Sequence, residues 1–258
     1  MNLVTSAVLL SLALFMGMMA SLELGFRTGR RHSSRMDDAH EGIGVIEAAL
    51  FALLGLLLGF SFGGTMSRLD ARRQLIVRET NAIGSAYLWL DVMPAADQPD
   101  MRGLFREYLE ARLRVYGHAA NLATVDRFIG EAAALQQRIW ARAVTSSHAD
   151  PTQNTSRLLL PAISEMIDVT TARTVALRTH LPSLILGLLI AFALLGAFVA
   201  GYAMSKRQGR GLVHSVLFAA AVTVTIYAVL DLDDPRFGLI RLDAAEKVLH
   251  QLHDSIRP

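Results

Sequence analysis

The chain has 258 residues, of which 52% are hydrophobic, and its formal net charge is only +2. Together with a mean hydropathy of +0.37, this composition excludes an ordinary water-soluble domain and indicates a small membrane protein. Because the sequence contains no cysteine, disulfides and thiolate metal sites are excluded.

Long apolar segments predict four membrane spans, at residues 3–20, 45–64, 181–204 and 212–230. A helix of about 20 apolar residues matches the thickness of the bilayer's hydrocarbon core. The first segment lacks a positively charged start and a small-residue cleavage site, so we expect it to remain as a span. Residues 1–64 are therefore assigned to spans one and two, and residues 181–230 to spans three and four.

The second span is predicted to continue as one helix well beyond the membrane, from residue 42 to residue 93. Past the apolar segment, Leu69, Ile76, Ile83 and Leu90 recur at seven-residue intervals, which is the spacing of a packed helix seam. Pro94 is the first residue that would stop such a helix.

Residues 65–180 are predicted to form an extramembrane helical bundle, because their apolar pattern is helical and shows no alternation typical of strands. Besides the extension of the second span, we expect helices opening at Pro99, at 124–143 and from about residue 155. Residues 146–151 are expected to be a loop, and the last helix is expected to run into the third span past Pro182. The fold class is thus all-α, with four transmembrane helices of which the second and third extend into a long extramembrane bundle. Residues 231–258 form a tail with a short helix at 244–256.

Gly55, Gly59 and Gly63 lie four residues apart on the second span, so another backbone can approach closely there. One interpretation is packing within the chain. The alternatives are a face for self-association, or a narrow pore in which Phe60 and Phe62 are apolar constrictions.

Two ionisable residues fall inside predicted spans. Glu47 lies one turn into the second span, and His214 lies near the start of the fourth. A charged group in this position either reaches the interface with its polar end or takes part in permeation or proton transfer.

Arg68, Arg72 and Arg73 follow the second span directly and predict a cationic edge. In an oligomer they would form a positively charged ring around an axis. The alternative is interfacial anchoring with ion pairs to Glu79 or Asp70.

Asp231, Asp233 and Asp234 end the fourth span and could supply part of a Ca²⁺ shell, but they lack the spacing of an EF-hand loop. The other interpretation is a polar cap where the span meets water. We assign no metal and no cofactor. The sequence contains no nucleotide-binding or hydrolase motif, so no catalytic residue is predicted and we expect the protein not to be an enzyme.

The segments LLGLLLGFSFGGTMSRLDARRQLIVRETNAIGSAYLWLDVMP and DLDDPRFGLIRL resemble the bestrophin-like domain family of bacterial membrane proteins, which is remotely related to bestrophin anion channels. The resemblance implies a pentameric anion channel in which the second span lines the pore. It also implies that Phe60 and Phe62 form an apolar neck and that the aspartates at 231, 233 and 234 occupy the position of a Ca²⁺ clasp found in animal members.

The expected partners are therefore the lipid bilayer, further copies of the chain and small anions, with no nucleic acid. The expected location is the bacterial inner membrane, crossed several times. The competing hypothesis is a non-conducting membrane scaffold or sensor, whose helical bundle transmits a signal by small helix shifts.

Overall fold

The computed structural model describes residues 3–32, 40–117, 122–205, 212–233 and 243–256, and over these residues all regular structure is helical. The α-helices are α1 (Leu3–His32), α2 (His40–Leu88), α3 (Gln98–Gly117), α4 (Leu122–Ala149), α5 (Leu160–Arg178), α6 (Ser183–Met204), α7 (Leu212–Asp233) and α8 (Asp243–Ser255). Four stretches among the described residues are long and apolar enough to cross a membrane, and each overlaps one of the four predicted spans. The predicted all-α class is confirmed.

The long helix predicted around the second span is confirmed as α2, which has 49 residues without a break. A 3-10 turn, Trp89–Val92, follows it directly. All four predicted seam residues, from Leu69 to Leu90, are at most 1% exposed. The helical segment ends just before Pro94, because proline cannot donate a backbone hydrogen bond and disfavours a helical residue before it.

Two predicted boundaries differ from the structure. The loop expected at 146–151 is mostly helix, since α4 continues to Ala149 and the non-helical segment starts at Asp150, next to Pro151. The last bundle helix does not run unbroken into the third span, because residues 179–182 separate α5 from α6. Pro182, directly before the first residue of α6, has an extended ψ of 131°, and its ring also disfavours a helical conformation at Leu181.

The first of two compact units comprises residues 1–69 and 180–240. It contains α1, the first half of α2, α6 and α7, and α1 packs against both α6 and α7. Its core is built from apolar side chains of all four helices, among them Met18, Leu54, Ala193 and Ile226. We call it the membrane unit.

The second unit comprises residues 70–179 and 241–258 and is a helical bundle, as predicted. The α3 and α4 helices pack as neighbours, and α8 packs against α3. Apolar side chains of α3 and α4 are buried, namely Phe105, Tyr108, Val115, Phe128, Ala132, Leu135 and Ile139. The short tail helix, α8, contributes Leu249 to the same core, as does Ile256 directly after the helix. We call this the bundle unit.

Candidate functional site

The glycine face of α2 has no neighbour inside the described chain. A methyl group added at Gly55, Gly59 or Gly63 would meet no atom within 4 Å, apart from the residue's own surroundings in the helix. The side chains of Phe60 and Phe62 are also exposed, Phe60 by 70%. This surface of the membrane unit, which we call the α2 membrane face, comprises Gly55, Gly59, Phe60, Phe62 and Gly63.

Close approach of helices within the chain occurs at glycines that the sequence analysis did not single out. A methyl group at Gly25 of α1 would lie 2.0 Å from the carbonyl oxygen of Phe198 in α6. The reverse contact is equally tight, since a methyl group at Gly201 would lie 2.0 Å from the carbonyl oxygen of Leu22. The spacing of Gly25 and Gly29 in the first helix is a small-xxx-small signal that could have revealed this contact.

The intramembrane ionisable residues differ in exposure. Glu47 is half-buried, whereas His214 is exposed near the start of α7. Neither side chain forms a hydrogen bond or ion pair with the part of the chain that the structure describes. The structure therefore does not bring them together with any other candidate residue.

Asp233 at the end of α7 holds together three segments of the membrane unit. Its Oδ1 accepts hydrogen bonds from Nε and a terminal nitrogen of Arg68, at 3.2 and 3.0 Å. Its Oδ2 accepts the backbone N–H of Leu181 at 2.8 Å and lies 3.6 Å from Nδ1 of His180. Asp231 is buried nearby along the helix, and Asp234 lies outside the described residues. These contacts are those of a polar cap.

The three arginines of the predicted cationic edge each bind a different partner. Arg68 binds Asp233, as described above, and Arg73 lies 3.4 Å from Asp70. Arg72 is 4% exposed and donates to the backbone carbonyls of Ala176 and Thr179, at 3.1 and 2.7 Å. Arg72 thereby satisfies carbonyls at the carboxyl end of α5, where a cation also interacts favourably with the helix dipole.

A buried charge cluster in the bundle unit, which the sequence analysis did not predict, joins α2, α3 and α5. The Glu79 carboxylate accepts a hydrogen bond from Nε of Arg112 at 2.5 Å and another from Arg173. The three side chains are 0%, 1% and 3% exposed. We call these residues the Glu79 cluster. The sequence indicates the burial of Glu79 in part, because this residue lies three positions after the seam residue Ile76 and hence on the apolar face of α2.

Two opposing effects act on the ionisation of Glu79. Burial raises the pKa of its carboxyl, but the positive charges and hydrogen bonds of Arg112 and Arg173 outweigh burial and leave the pKa below its usual value. Glu79 is therefore ionised in the folded bundle. Beside it, the hydroxyl of Tyr108 contacts Thr170 Oγ1 at 2.9 Å and accepts from Gln136 at 3.0 Å. Burial raises the pKa of the Tyr108 hydroxyl, which stays protonated.

No group of three or more histidine and carboxylate side chains placed to hold a metal ion occurs among the described residues. The candidate residues thus form an exposed membrane face, a cap around Asp233 and a buried cluster around Glu79, rather than a single reactive centre.

Comparisons with known proteins give a consistent assignment. The model of the bestrophin-like domain family matches residues 6–245. A comparison with curated proteins finds no match. Among solved structures, a variant of a bacterial bestrophin homologue from Klebsiella pneumoniae superposes with a TM-score of 0.68 at 14% identity, covering 95% of this chain and 96% of that one.

A further structure of the Klebsiella pneumoniae homologue superposes with a TM-score of 0.64 at 15% identity, covering 94% of this chain and 99% of that one. At this level of identity the likeness shows a shared fold. The family match extends over nearly the whole chain. The chain is a multi-pass membrane protein that belongs to the bestrophin-like domain family.

Proposed function

We propose that copies of this chain assemble in the cell membrane, which in a bacterium is the inner membrane, into a ring that forms an anion channel. The observation that carries the proposal is the α2 membrane face. A methyl group at any of its three glycines would meet no atom of a neighbouring helix within 4 Å in the described chain, and its two phenylalanines are exposed. Family membership makes a pentamer the expected assembly.

The composition of this face favours contact with protein or a pore over contact with lipid. Glycine lowers helix stability by about 1 kcal/mol relative to alanine, and a lipid-facing surface gains nothing from it. Glycine is useful where another backbone approaches or where a pore must stay narrow yet open. Gly187 of α6 is also without a neighbour within 4 Å in the described chain, but it is a single residue, whereas three such glycines recur four residues apart on α2. This repeat is why we assign the α2 face to a second copy or to the pore axis.

Phe60 has the exposure and position of an apolar constriction. It lies between Gly59 and Ser61 on α2, and the residue is 70% exposed. A ring of such side chains around an axis would form a hydrophobic gate, which controls passage by excluding water when narrow. Arg68 and Arg72 already bind groups of the same protomer, so we do not base the anion preference on them. That part of the proposal rests on the family resemblance.

The test is ion flux from liposomes that contain the purified full-length chain. We expect wild-type protein to release chloride, and Phe60→Ala to change the rate severalfold because the constriction becomes wider. Leu217→Ala is the matched control, since Leu217 is an exposed apolar residue of α7 that lies off the α2 membrane face. This control variant should conduct as the wild type does.

Three results would count against the proposal. Sealed liposomes containing folded, oligomeric protein would retire the channel in favour of a non-conducting scaffold or sensor. Potassium flux without chloride flux would keep the pore but overturn the anion preference. Equal effects of Phe60→Ala and Leu217→Ala would remove Phe60 from the conduction path.

A further inference from the structure

A groove in the bundle unit lies between α2 and α5 and has a cavity volume of about 370 Å³. The α2 side contributes Arg78, Asn81 and Ser85, and the α5 side contributes Glu165, with Ala82 and Val169 among the apolar lining residues. The three polar residues of α2 are spaced by three and four positions, so they share one side of the helix. The volume is within the range of small-molecule sites.

The two charged side chains of this groove have no ionic partner among the residues that the structure describes. Arg78 and Glu165 line the same cavity, yet they form no ion pair with each other or with any other described residue. Several other charged residues of the bundle unit are paired, as Arg142 is with Asp97 and Asp100. Asn81 and Ser85 likewise make no side-chain hydrogen bond within the described ranges. The groove therefore offers one cation, one carboxylate and two neutral polar groups.

We infer that this groove binds a small zwitterionic amino acid, with its carboxylate at Arg78 and its ammonium group at Glu165. The planar guanidinium group of arginine suits a carboxylate, to which it donates two parallel hydrogen bonds. Asn81 and Ser85 are on the same side as Arg78 and can donate further hydrogen bonds. The Glu165 carboxylate accepts hydrogen bonds from an ammonium group.

Complementary charge distinguishes this ligand class from simpler ions. An inorganic anion bound at Arg78 would share the groove with the negative Glu165, and an amine bound at Glu165 would share it with the positive Arg78. A molecule that carries both charges avoids both repulsions. The inference concerns the bundle unit alone and holds whether or not the protein conducts ions.

The experiment measures binding of three matched probes to the full-length chain in detergent by saturation-transfer NMR. L-Alanine carries both charges, propionate lacks the ammonium group, and ethylamine lacks the carboxylate. We expect L-alanine to bind at least about tenfold more tightly than either analogue, because each analogue leaves one charge of the groove unpaired. Binding of propionate as strong as that of L-alanine would replace the proposal with a plain anion site.

Variants test the two named charges. Arg78→Gln and Glu165→Gln should each weaken L-alanine binding at least about tenfold. The controls Arg178→Gln and Glu107→Gln remove exposed charges elsewhere in the bundle unit and should leave binding unchanged. Both groove residues are exposed, so the variants are expected to fold, which circular dichroism and gel filtration check.

The charge-swapped double variant, Arg78→Glu with Glu165→Arg, gives the sharpest result. A zwitterion can turn around in the groove, so binding lost in each single variant should return in part. A failure of wild-type protein to bind L-alanine would overturn the inference, as would unchanged binding after Arg78→Gln.

Discussion

At the scale of single residues, the Glu79 cluster is the most consequential feature of the bundle unit. Two arginines and one glutamate are almost completely removed from water. Burying an ion costs several kcal/mol, which only an opposite charge at hydrogen-bonding distance can offset. Both Arg112 and Arg173 contact the Glu79 carboxylate. Its negative charge therefore offsets part of the free-energy cost of burying the two arginines.

We predict that Glu79→Gln destabilises the protein by about 3–5 kcal/mol, because it removes the negative charge that two buried guanidinium groups contact. The measurement is the thermal unfolding midpoint of full-length protein in detergent. Glu107→Gln is the control, since Glu107 pairs with Arg138 on the surface and such pairs contribute at most about 1 kcal/mol. Equal shifts in the two variants would contradict the role assigned to Glu79.

The same carboxylate predicts a dependence of stability on pH. The pKa of Glu79 in the folded chain lies below the ordinary value of 4.5, so the unfolded chain takes up a proton first as the pH falls. The contribution of the cluster is therefore complete above that ordinary value and is lost as the pH falls through the folded-state pKa. Wild-type unfolding midpoints should decline on acidification more steeply than those of Glu79→Gln. If the unfolding midpoints of the two proteins declined equally with falling pH, this prediction would be contradicted.

At the scale of helices, local periodicity made α2 predictable, whereas contacts between distant positions remained out of reach. The seam from Leu69 to Leu90 repeats every seven residues, so its buried side could be derived from the sequence. The Glu79 cluster joins residues 33 and 94 positions apart, and nothing local specifies which arginine meets which carboxylate. For the same reason, Gly201 could not be matched with Leu22 before the arrangement of α1 and α6 was known.

The packing of α1 against α6 gives a prediction at this scale. Gly201→Ala should destabilise the membrane unit by about 1–3 kcal/mol or more, since the added methyl group would overlap the carbonyl of Leu22. Gly187→Ala, also in α6, meets no atom within 4 Å and should be neutral or slightly stabilising, because alanine favours helix. Thermal unfolding in detergent and the yield of folded protein compare the two. Equal tolerance would mean that α1 and α6 do not pack this closely.

At the scale of the whole molecule, the glycines of the α1–α6 contact and those of the α2 membrane face have different surroundings. Gly25 and Gly201 permit close packing inside one chain, whereas a methyl group at Gly55, Gly59 or Gly63 meets no atom of a neighbouring helix within 4 Å in the described chain. Substitutions at the second group should therefore leave the protomer intact. Any effect they have must arise between copies, which makes assembly testable apart from folding.

We predict that Gly59→Leu shifts the oligomer distribution toward smaller species in native mass spectrometry of the detergent-solubilised protein, because leucine keeps two backbones apart where glycine lets them meet. Gly187→Leu is the matched control, since Gly187 lies in an apolar span and also has no neighbour within 4 Å. It should leave the distribution unchanged, and both variants should retain wild-type helix content. If the wild type is a monomer, the α2 membrane face cannot line a pore between copies. If both leucine variants dissociate the oligomer equally, the interface does not depend on the glycines of α2.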